Sequence, residues 1–566
     1  MFYFTLIRVR IKKMEEFSVL IGGEAGQGSR KAGLLLGKIL LEWGWQIFIY
    51  DDYQSLVRGG HNFSLIRASQ KKPLTTDLSL DLLLSLDKKT AELHCQKLKE
   101  KGILVYNTSK ISDIKEGLGL PLEKWVKEAG GISLMENVAL IGAAAKILGI
   151  SWEVVEKVIR EEFRQEVREK NLKVGYLAFG SCKTLFKVPR LKSGGKVLLT
   201  GNEAISLGLI KAGLNTYFAY PMTPTSGILH FLAERQKEEN LKVYQLESEV
   251  GVVNAALGAS FAGSRVAVGT SGGGFALMTE GLSFAAQAEV PLLLIEGQRA
   301  APATGVPTYT AQSDLFFTLH AGHGDFLRFL IAPSDGQEAA FWVGEALNLA
   351  WEYQTPVILL VDKQICESTF TIEKGIFSKI QPRKPLLTSD NGEYFRYKNT
   401  SSGISPLAFP GEKEKVVKVN GYEHDEKGLT IEEAELVQKM QEKRLKKFQK
   451  MQEAVEKLPA VNIGGKKNSQ TALIVWGSVK GVAMEVAERR GLRLVQPIIL
   501  QPFPKKQMKK ALEGVKKVIV VENNSLGQLA EILPRYGIKV DSKILKYDGR
   551  PFWLKELDEK LGNISN

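Results

Sequence analysis

Thr223, Glu249 and Arg299 are the residues whose types and placement suit chemistry on a small ligand. Thr223 lies in Tyr220-Pro221-Met222-Thr223-Pro224, just after the apolar run 217–220. Proline holds the residue before it extended and opens a turn. Thr223 is therefore expected at a strand's C-terminal end, where open α/β sheets bind their ligands. Glu249 separates the polar segment 244–248 from an apolar helical run at 250–262. A carboxyl partly desolvated in that position can share a proton with a weak base. An exposed acid in a first helical turn fits the same position, because the helix dipole favours it. Arg299 follows the strand-like run 291–295, within Gln298-Arg-Ala-Ala-Pro-Ala-Thr304-Gly-Val-Pro-Thr308. Its fork of donors suits a carboxylate, although an arginine after a strand also serves as a surface charge. The hydroxyls of Thr304 and Thr308 can act as donors around such an anion or as turn caps.

The elements around these residues repeat a strand–helix pattern. Ser271-Gly272-Gly273-Gly274 follows a strand at 267–270 and leads to a helix expected from Phe275. Near the N-terminus, the strand 17–21 runs into Gly22-Gly-Glu-Ala-Gly26-Gln27-Gly28 and a helix over 29–43. Glycines between a strand and a helix can aim backbone N–H groups at a phosphate or can simply make a tight turn. Strands are expected at 46–50, 62–66, 82–86 and 103–106, with Arg58-Gly-Gly-His61 between the first two. Helices are expected at 136–148 and 152–165, and residues 180–195 read as a joint. A strand at 196–200 opens the next α/β region, whose last strand is 356–361. Residues 381–430 read as an irregular arm, 431–457 as a charged amphipathic helix and 462–469 as a linker. A last α/β region starts near Thr471, and Glu522-Asn523-Asn524 at a strand end reads as a turn. The expected fold class is multidomain α/β with parallel sheets, divided at 1–190, 195–380, 381–465 and 468–566.

Composition narrows the function classes. A chain of 566 residues accommodates about three or four domains. The net charge of +13 is spread over interleaved Lys and Glu, as at 426–457, with no basic stripe set among aromatics, so nucleic acid is not an expected partner. Cys95, Cys182 and Cys366 are far apart, with no CxxC, so neither a four-cysteine cluster nor a zinc site is expected on this chain. That usage fits a reducing cytoplasm. No secretory signal and no run of about 20 apolar residues is evident, so no membrane span is expected. Residues 1–13, ahead of Met14, read as an extension or a start-site artefact.

The motifs YPMTP, ESEVG, TSGGGFALMTEG, QRAAPATGVPT and HAGHGDF occur in that order between residues 220 and 326. Together they resemble the thiamine-pyrimidine domain of the α subunit of 2-oxoacid:ferredoxin oxidoreductases, in the 2-oxoglutarate-type branch. GGEAGQG and DDYQSLVRGGH resemble that family's γ domain, fused here at the N-terminus. GNEA at 201–204 and His424-Asp-Glu-Lys-Gly428 also match family segments, and the last region looks like the small C-terminal domain of transketolase-like enzymes.

The resemblance implies oxidative decarboxylation of a 2-oxoacid to an acyl-coenzyme A with reduction of ferredoxin. It implies that Glu249 stands against the aminopyrimidine of thiamine diphosphate, whose C2 carbanion attacks the 2-oxoacid carbonyl. It further implies that Arg299 grips the substrate carboxylate with Thr223, Thr304 and Thr308 around it, and that Gly272, Gly273 and Gly274 lie beside the cofactor. Gly26, Gln27, Gly28 and Arg58 would face coenzyme A. No GDG-then-Asn pattern for Mg²⁺ is present, so Mg²⁺ and a 4Fe–4S cluster are expected on a β subunit that shares the cofactor in an αβ or (αβ)₂ assembly. Three departures stand out. Glu24 replaces a common glycine, Met222 an isoleucine, and Tyr309 a Lys or Arg. Losing that cation shifts the expected substrate from 2-oxoglutarate towards pyruvate or a branched-chain acid. His320 and His323 are not expected to bind metal. A transketolase-like transferase without ferredoxin and a non-catalytic scaffold or regulatory homologue are the rival readings.

Overall fold

The computed structural model describes residues 14–55, 60–114, 116–389 and 393–565. The chain divides into two compact units, Met1–Leu198 with Ser368–Glu373, and Leu199–Glu367 with Lys374–Asn566.

The first unit is built on one sheet. Its strands, in spatial order, are Leu118–Leu120, Leu98–Asn107, Leu80–Ser85, Glu16–Glu24, His61–Ser69, Gln46–Asp52, Thr369–Glu373 and Lys196–Thr200. Glu16–Glu24 is buried along all but its ends, pairing parallel with Leu80–Ser85 and antiparallel with His61–Ser69. The second helix expected here stops at Glu162, because Phe163 is extended, and a further helix, Gln165–Gly180, follows. The polar composition of that further helix conceals its buried contact. A Cβ on Gly142 would lie 2.2 Å from the Gly175 carbonyl oxygen, so two helices touch backbone to backbone. Thr369–Glu373, inside the stretch expected to belong wholly to the middle domain, pairs with Gln46–Asp52 instead. The helix Glu136–Leu148 is apolar because nearly all of it is core. Among the described residues no single helix is long and apolar enough to cross a membrane.

The second unit contains a sheet ordered Ile499–Gln501, Phe329–Ile331, Pro356–Asp362, Leu292–Gln298, Val266–Thr270, Thr216–Ala219 and Lys242–Gln245. Every pairing is parallel except that of Ile499–Gln501. Parallel strands covered by helices on both faces read as continuous apolar runs, as Leu292–Gln298 does up to Ile295. Four strand C-termini, at Ala219, Gln245, Thr270 and Gln298, lie side by side and lead directly to Thr223, Glu249, the glycine run and Arg299.

A five-stranded sheet follows, ordered Val461–Gly465, Arg493–Pro497, Thr471–Ile474, Lys517–Glu522 and Ser542–Leu545. Its first strand falls where a linker was expected. Gly464 and Gly465 look like linker residues, yet a Cβ on Gly464 would meet the Met484 sulfur at 2.4 Å, so glycine is there for close packing. The arm is irregular as expected, with only isolated bridges among its described residues. The charged helix runs Ala434–Lys457 and buries Met440, Lys443, Lys447, Met451 and Val455 as one stripe.

Candidate functional site

Glu249 opens the helix Glu249–Phe261, but Ser248 does the capping: its hydroxyl accepts from the Gly251 N–H at 3.3 Å. The glutamate is therefore spare for the helix, and it is only 4% exposed, with a buried Oε1 that has no hydrogen-bond partner. This settles the choice left open by the residues alone against an exposed first-turn acid. Gly274 faces it, and a Cβ there would stand 2.6 Å from Glu249 Oε1 and 2.1 Å from Thr270 Oγ1. The carboxyl thus has its space because residue 274 has no side chain.

The glycine run is not a loop before the helix, as the sequence suggested. It is the helix's own first turn, since the helix spans Gly272–Gln287 with Ser271 as N-cap. Each glycine has different surroundings. Gly274 admits Glu249, Gly273 faces open space, and Gly272 faces Asp314, whose Oδ2 is 3.0 Å from where a Cβ would be. An acid beside the first N–H groups of a helix occupies the place a phosphate would take.

Arg299 Nη1 donates to the Thr223 carbonyl at 3.0 Å, which brings those two expected residues together through the backbone of Thr223. Burial lowers the affinity of Arg299 for its proton, and Glu296 opposes this. Among the described residues Arg299 has no carboxylate within salt-bridge distance. Thr308 is buried with an unpartnered hydroxyl, next to Tyr309, whose carbonyl accepts from the Ala300 N–H. Thr304 is not gathered in. It stands exposed at the tip of a turn closed by the Ala300–Val306 bridge.

The segment after Thr308 is held by the C-terminal sheet. Thr310 N–H donates to Gly549, Gln312 Nε2 to Trp476, and the Gln312 and Asn523 backbones are tied to one another. Glu522, Asn523 and Asn524 thus fix this segment, as Glu522 also accepts from Trp476, Leu529 and Ala530. Tyr309 carries the Arg550 guanidinium over its ring at 3.4 Å. A cation therefore stands beside the position where the sequence suggested one had been lost, and it comes from 241 residues downstream, the distance from Tyr309 to Arg550 (550 − 309).

Three acids that sequence reading passed over gather around the end of the strand Leu292–Gln298, and Glu296 among them acts on the Arg299 guanidinium. Glu296 is fully buried on the strand Leu292–Gln298, with no N–H or O–H donor to either oxygen. Burial and then the neighbouring Asp314 push its pKa well above the usual carboxylate value. Burial pushes Asp314 up to about 6, which the neighbouring Glu296 partly offsets. Asp362 is likewise raised by burial, and it accepts from Ile365 and Ser478 N–H groups. An acid interrupting a strand that is apolar on both faces was the signal for Glu296.

In the first unit Gly26 and Gly28 have φ of 95° and 78°, which explains glycine at both. Gln27 folds back so that its Oε1 accepts from Glu24 N–H at 2.9 Å. Its side chain holds the turn shut, and Glu24 is exposed. Arg58 lies outside the described residues. His320 and His323 are both exposed. Among the described residues no group of three or more His, Cys, Asp or Glu is placed to hold a metal ion.

Comparison with known proteins follows the same divisions. The family model for the pyruvate flavodoxin/ferredoxin oxidoreductase thiamine-diphosphate-binding domain matches residues 207–443. The pyruvate ferredoxin/flavodoxin oxidoreductase model matches 18–181, and core domain II of pyruvate:ferredoxin oxidoreductase matches 470–548. The chain is 33% identical to the 2-oxoacid:ferredoxin oxidoreductase subunit alpha of Saccharolobus solfataricus, over 96% of each chain. It is 32% identical to subunit alpha of 2-oxoacid:ferredoxin oxidoreductase 2 of Aeropyrum pernix, over 96% of this chain and 97% of that one. Among solved structures it resembles the 2-oxoglutarate:ferredoxin oxidoreductase of Magnetococcus marinus with 2-oxoglutarate, coenzyme A and succinyl-CoA bound. The TM-score is 0.88 at 26% identity, covering 97% of this chain and 100% of the other.

Proposed function

The chain belongs to the 2-oxoacid:ferredoxin oxidoreductases, as an α subunit, and from that premise we propose which of its residues act and on what. The reaction is oxidative decarboxylation of a 2-oxoacid to an acyl-coenzyme A, with carbon dioxide released and electrons passed to ferredoxin. Thiamine diphosphate, when bound, supplies the carbon nucleophile for the 2-oxoacid carbonyl. The observation that carries the site assignment is the buried, unpartnered Oε1 of Glu249 in the space left by Gly274.

A desolvated carboxyl without a partner is poised to share a proton with a weakly basic ring nitrogen, so Glu249 would hold the aminopyrimidine end of the cofactor. Gly273, with open space at its Cβ position, would line the same cavity. Arg299, free of any carboxylate among the described residues, binds the substrate carboxylate, and the buried hydroxyl of Thr308 donates to the same ligand. Thr223 holds Arg299 in place through its carbonyl. Thr304 acts only if its exposed turn closes over the ligand. The Asp314 carboxylate at Gly272 favours the cofactor's neutral end over its phosphates on this helix. The phosphates, Mg²⁺ and the 4Fe–4S cluster belong to a β subunit, and coenzyme A approaches the turn at Gly26 and Gly28. The complex works in the cytoplasm.

The Arg550 guanidinium at Tyr309 returns 2-oxoglutarate to the leading substrates, beside pyruvate and branched-chain acids. Co-expression with the β subunit and an anaerobic assay test this reading. The assay contains thiamine diphosphate, Mg²⁺, coenzyme A and a viologen acceptor, with a panel of 2-oxoacids. Coenzyme A-dependent reduction that disappears in Glu249→Ala is expected. A complex that reduces nothing with any acid leaves the two rivals, of which group transfer to an aldehyde acceptor without viologen reduction marks a transferase and no turnover at all marks a scaffold.

A further inference from the structure

Glu296 presents a problem of hydrogen bonding. It is sealed from solvent, and no N–H or O–H group donates to either of its oxygens. On the strand Leu292–Gln298 the side chains of Glu296 and Gln298 share a face, and Gln298 Oε1 accepts from the Asp314 N–H, which brings the Asp314 carboxyl to Glu296. Two ionised carboxylates in contact repel, and burial strengthens the repulsion. A proton between them turns the same contact into a charge-assisted O–H···O bond. The pair therefore holds a proton in common, as a coupled unit.

The two members are not equivalent. Asp314 lies against the first residue of the helix Gly272–Gln287, whose free N–H groups and dipole favour negative charge. Its own backbone N–H donates to the Gln298 side chain at 3.0 Å. Glu296 has no such support. It is faced by Asp314, by Arg299 past the end of its own strand, by Asp362 from the adjacent strand and by Cys366 from the helix Lys363–Glu367. The charge settles on Asp314 and the proton on Glu296.

We propose that Glu296 and Asp314 are positioning residues for Arg299, sharing one proton so that Arg299 meets the substrate carboxylate without a competing carboxylate beneath it. This rests on Arg299 as the substrate carboxylate ligand. Arg299 accordingly bonds only a carbonyl, that of Thr223, and has no ion pair among the described residues. When the shared proton leaves as pH rises, a second negative charge appears under the guanidinium. The 2-oxoacid then has to compete with it, so KM rises while the chemistry at Glu249 continues.

Two substitutions with the same net charge and nearly the same volume separate position from packing. In Glu296→Gln the new amide donates to Asp314, the charge stays at the helix, and the rise in KM with pH disappears. In Asp314→Asn Glu296 loses its anionic neighbour and gains an amide donor while staying buried, so its proton leaves at lower pH than in wild type and the rise in KM, about tenfold, moves down the pH scale with a smaller change in kcat. The assay uses the assembled α–β complex across a pH series. Matching wild-type pH profiles in both variants, or kcat losses that parallel lost thermal stability with KM unmoved, would overturn the proposal.

Infrared difference spectra of this chain alone provide a second reading. A carboxylic-acid C=O stretch present in wild type at neutral pH and missing in Glu296→Gln supports the shared proton, and identical spectra refute it. Arg299→Ala is the control for the premise. A KM unchanged by it removes the substrate role of Arg299 itself. A KM raised by it while both carboxyl variants behave as wild type removes only the proposal made here.

Discussion

Glu289 and Glu249 belong to the same compact unit and are equally buried, yet their surroundings are opposite. Glu289, at φ 50° in the turn before the strand Leu292–Gln298, is bound through Oε1 to Lys443 Nζ at 2.5 Å and through Oε2 to Lys447. Arg396 donates to its carbonyl at 2.6 Å. Burial opposes ionisation of Glu289, but Lys443, Lys447 and Arg396 outweigh it and hold its carboxyl well below the usual range. Burial in turn lowers the proton affinity of Lys443, and Glu289 opposes this. Glu249 has no cation and an unpartnered oxygen. A buried acid ion-paired to two lysines pins the arm and the helix Ala434–Lys457 to the sheet. A buried acid missing its partner is a place for something that arrives.

Activity should respond most to the second acid. Glu249→Gln is expected to lower acceptor reduction on the order of 10²–10⁴-fold, with a thermal midpoint close to wild type, because no internal bond is lost. A midpoint that falls together with the activity would make Glu249 a structural acid like Glu289. Stability should respond most to the first. Glu289→Ala leaves buried lysines without a counter-charge and should destabilise the chain by about 3–5 kcal/mol. The folded pKa of Glu289 is depressed, so its contribution is fully present above the unfolded carboxylate pKa and is lost as pH falls through the folded one. Denaturation of wild type and Glu289→Ala should therefore differ at neutral pH and converge only in strong acid.

Gly274→Ala sharpens the contrast from the cavity side. Its methyl group would crowd Glu249 Oε1 and Thr270 Oγ1, costing about 1–3 kcal/mol of overpacking or cofactor binding, readable as a raised thiamine diphosphate requirement. The smallest effect is expected at the rim. Arg550→Ala should raise KM for 2-oxoglutarate about fivefold relative to pyruvate, through loss of one half-buried cation and its stacking on Tyr309. Equal changes for both acids would reduce Arg550 to a packing role.

Much of the architecture was legible because it depends on local pattern. Apolar runs separated by glycine and proline located most strands and the Glu249 helix, and Tyr220-Pro221 placed Thr223 at a strand end. The misreadings share one cause. Gly464-Gly465 and Gly272-Gly273-Gly274 looked like flexible chain, yet a strand and a helix use them for close approach by Met484, Asp314 and Glu249. The polar helix Gln165–Gly180 was invisible because it buries only a short stripe, Leu172, Val174 and Ala178 around the backbone contact at Gly175.

The sequence by itself established the family and named Glu249, Arg299, Thr223 and Thr308, since those residues sit in contiguous motifs at strand ends. Only the tertiary structure decided which of them are desolvated, that Thr304 stands apart, and that Glu296, Asp314, Asp362 and Arg550 converge on Arg299 and its neighbours. Burial and charge coupling depend on distances between residues remote in the chain, and a parallel sheet sets those distances only when its crossovers have closed.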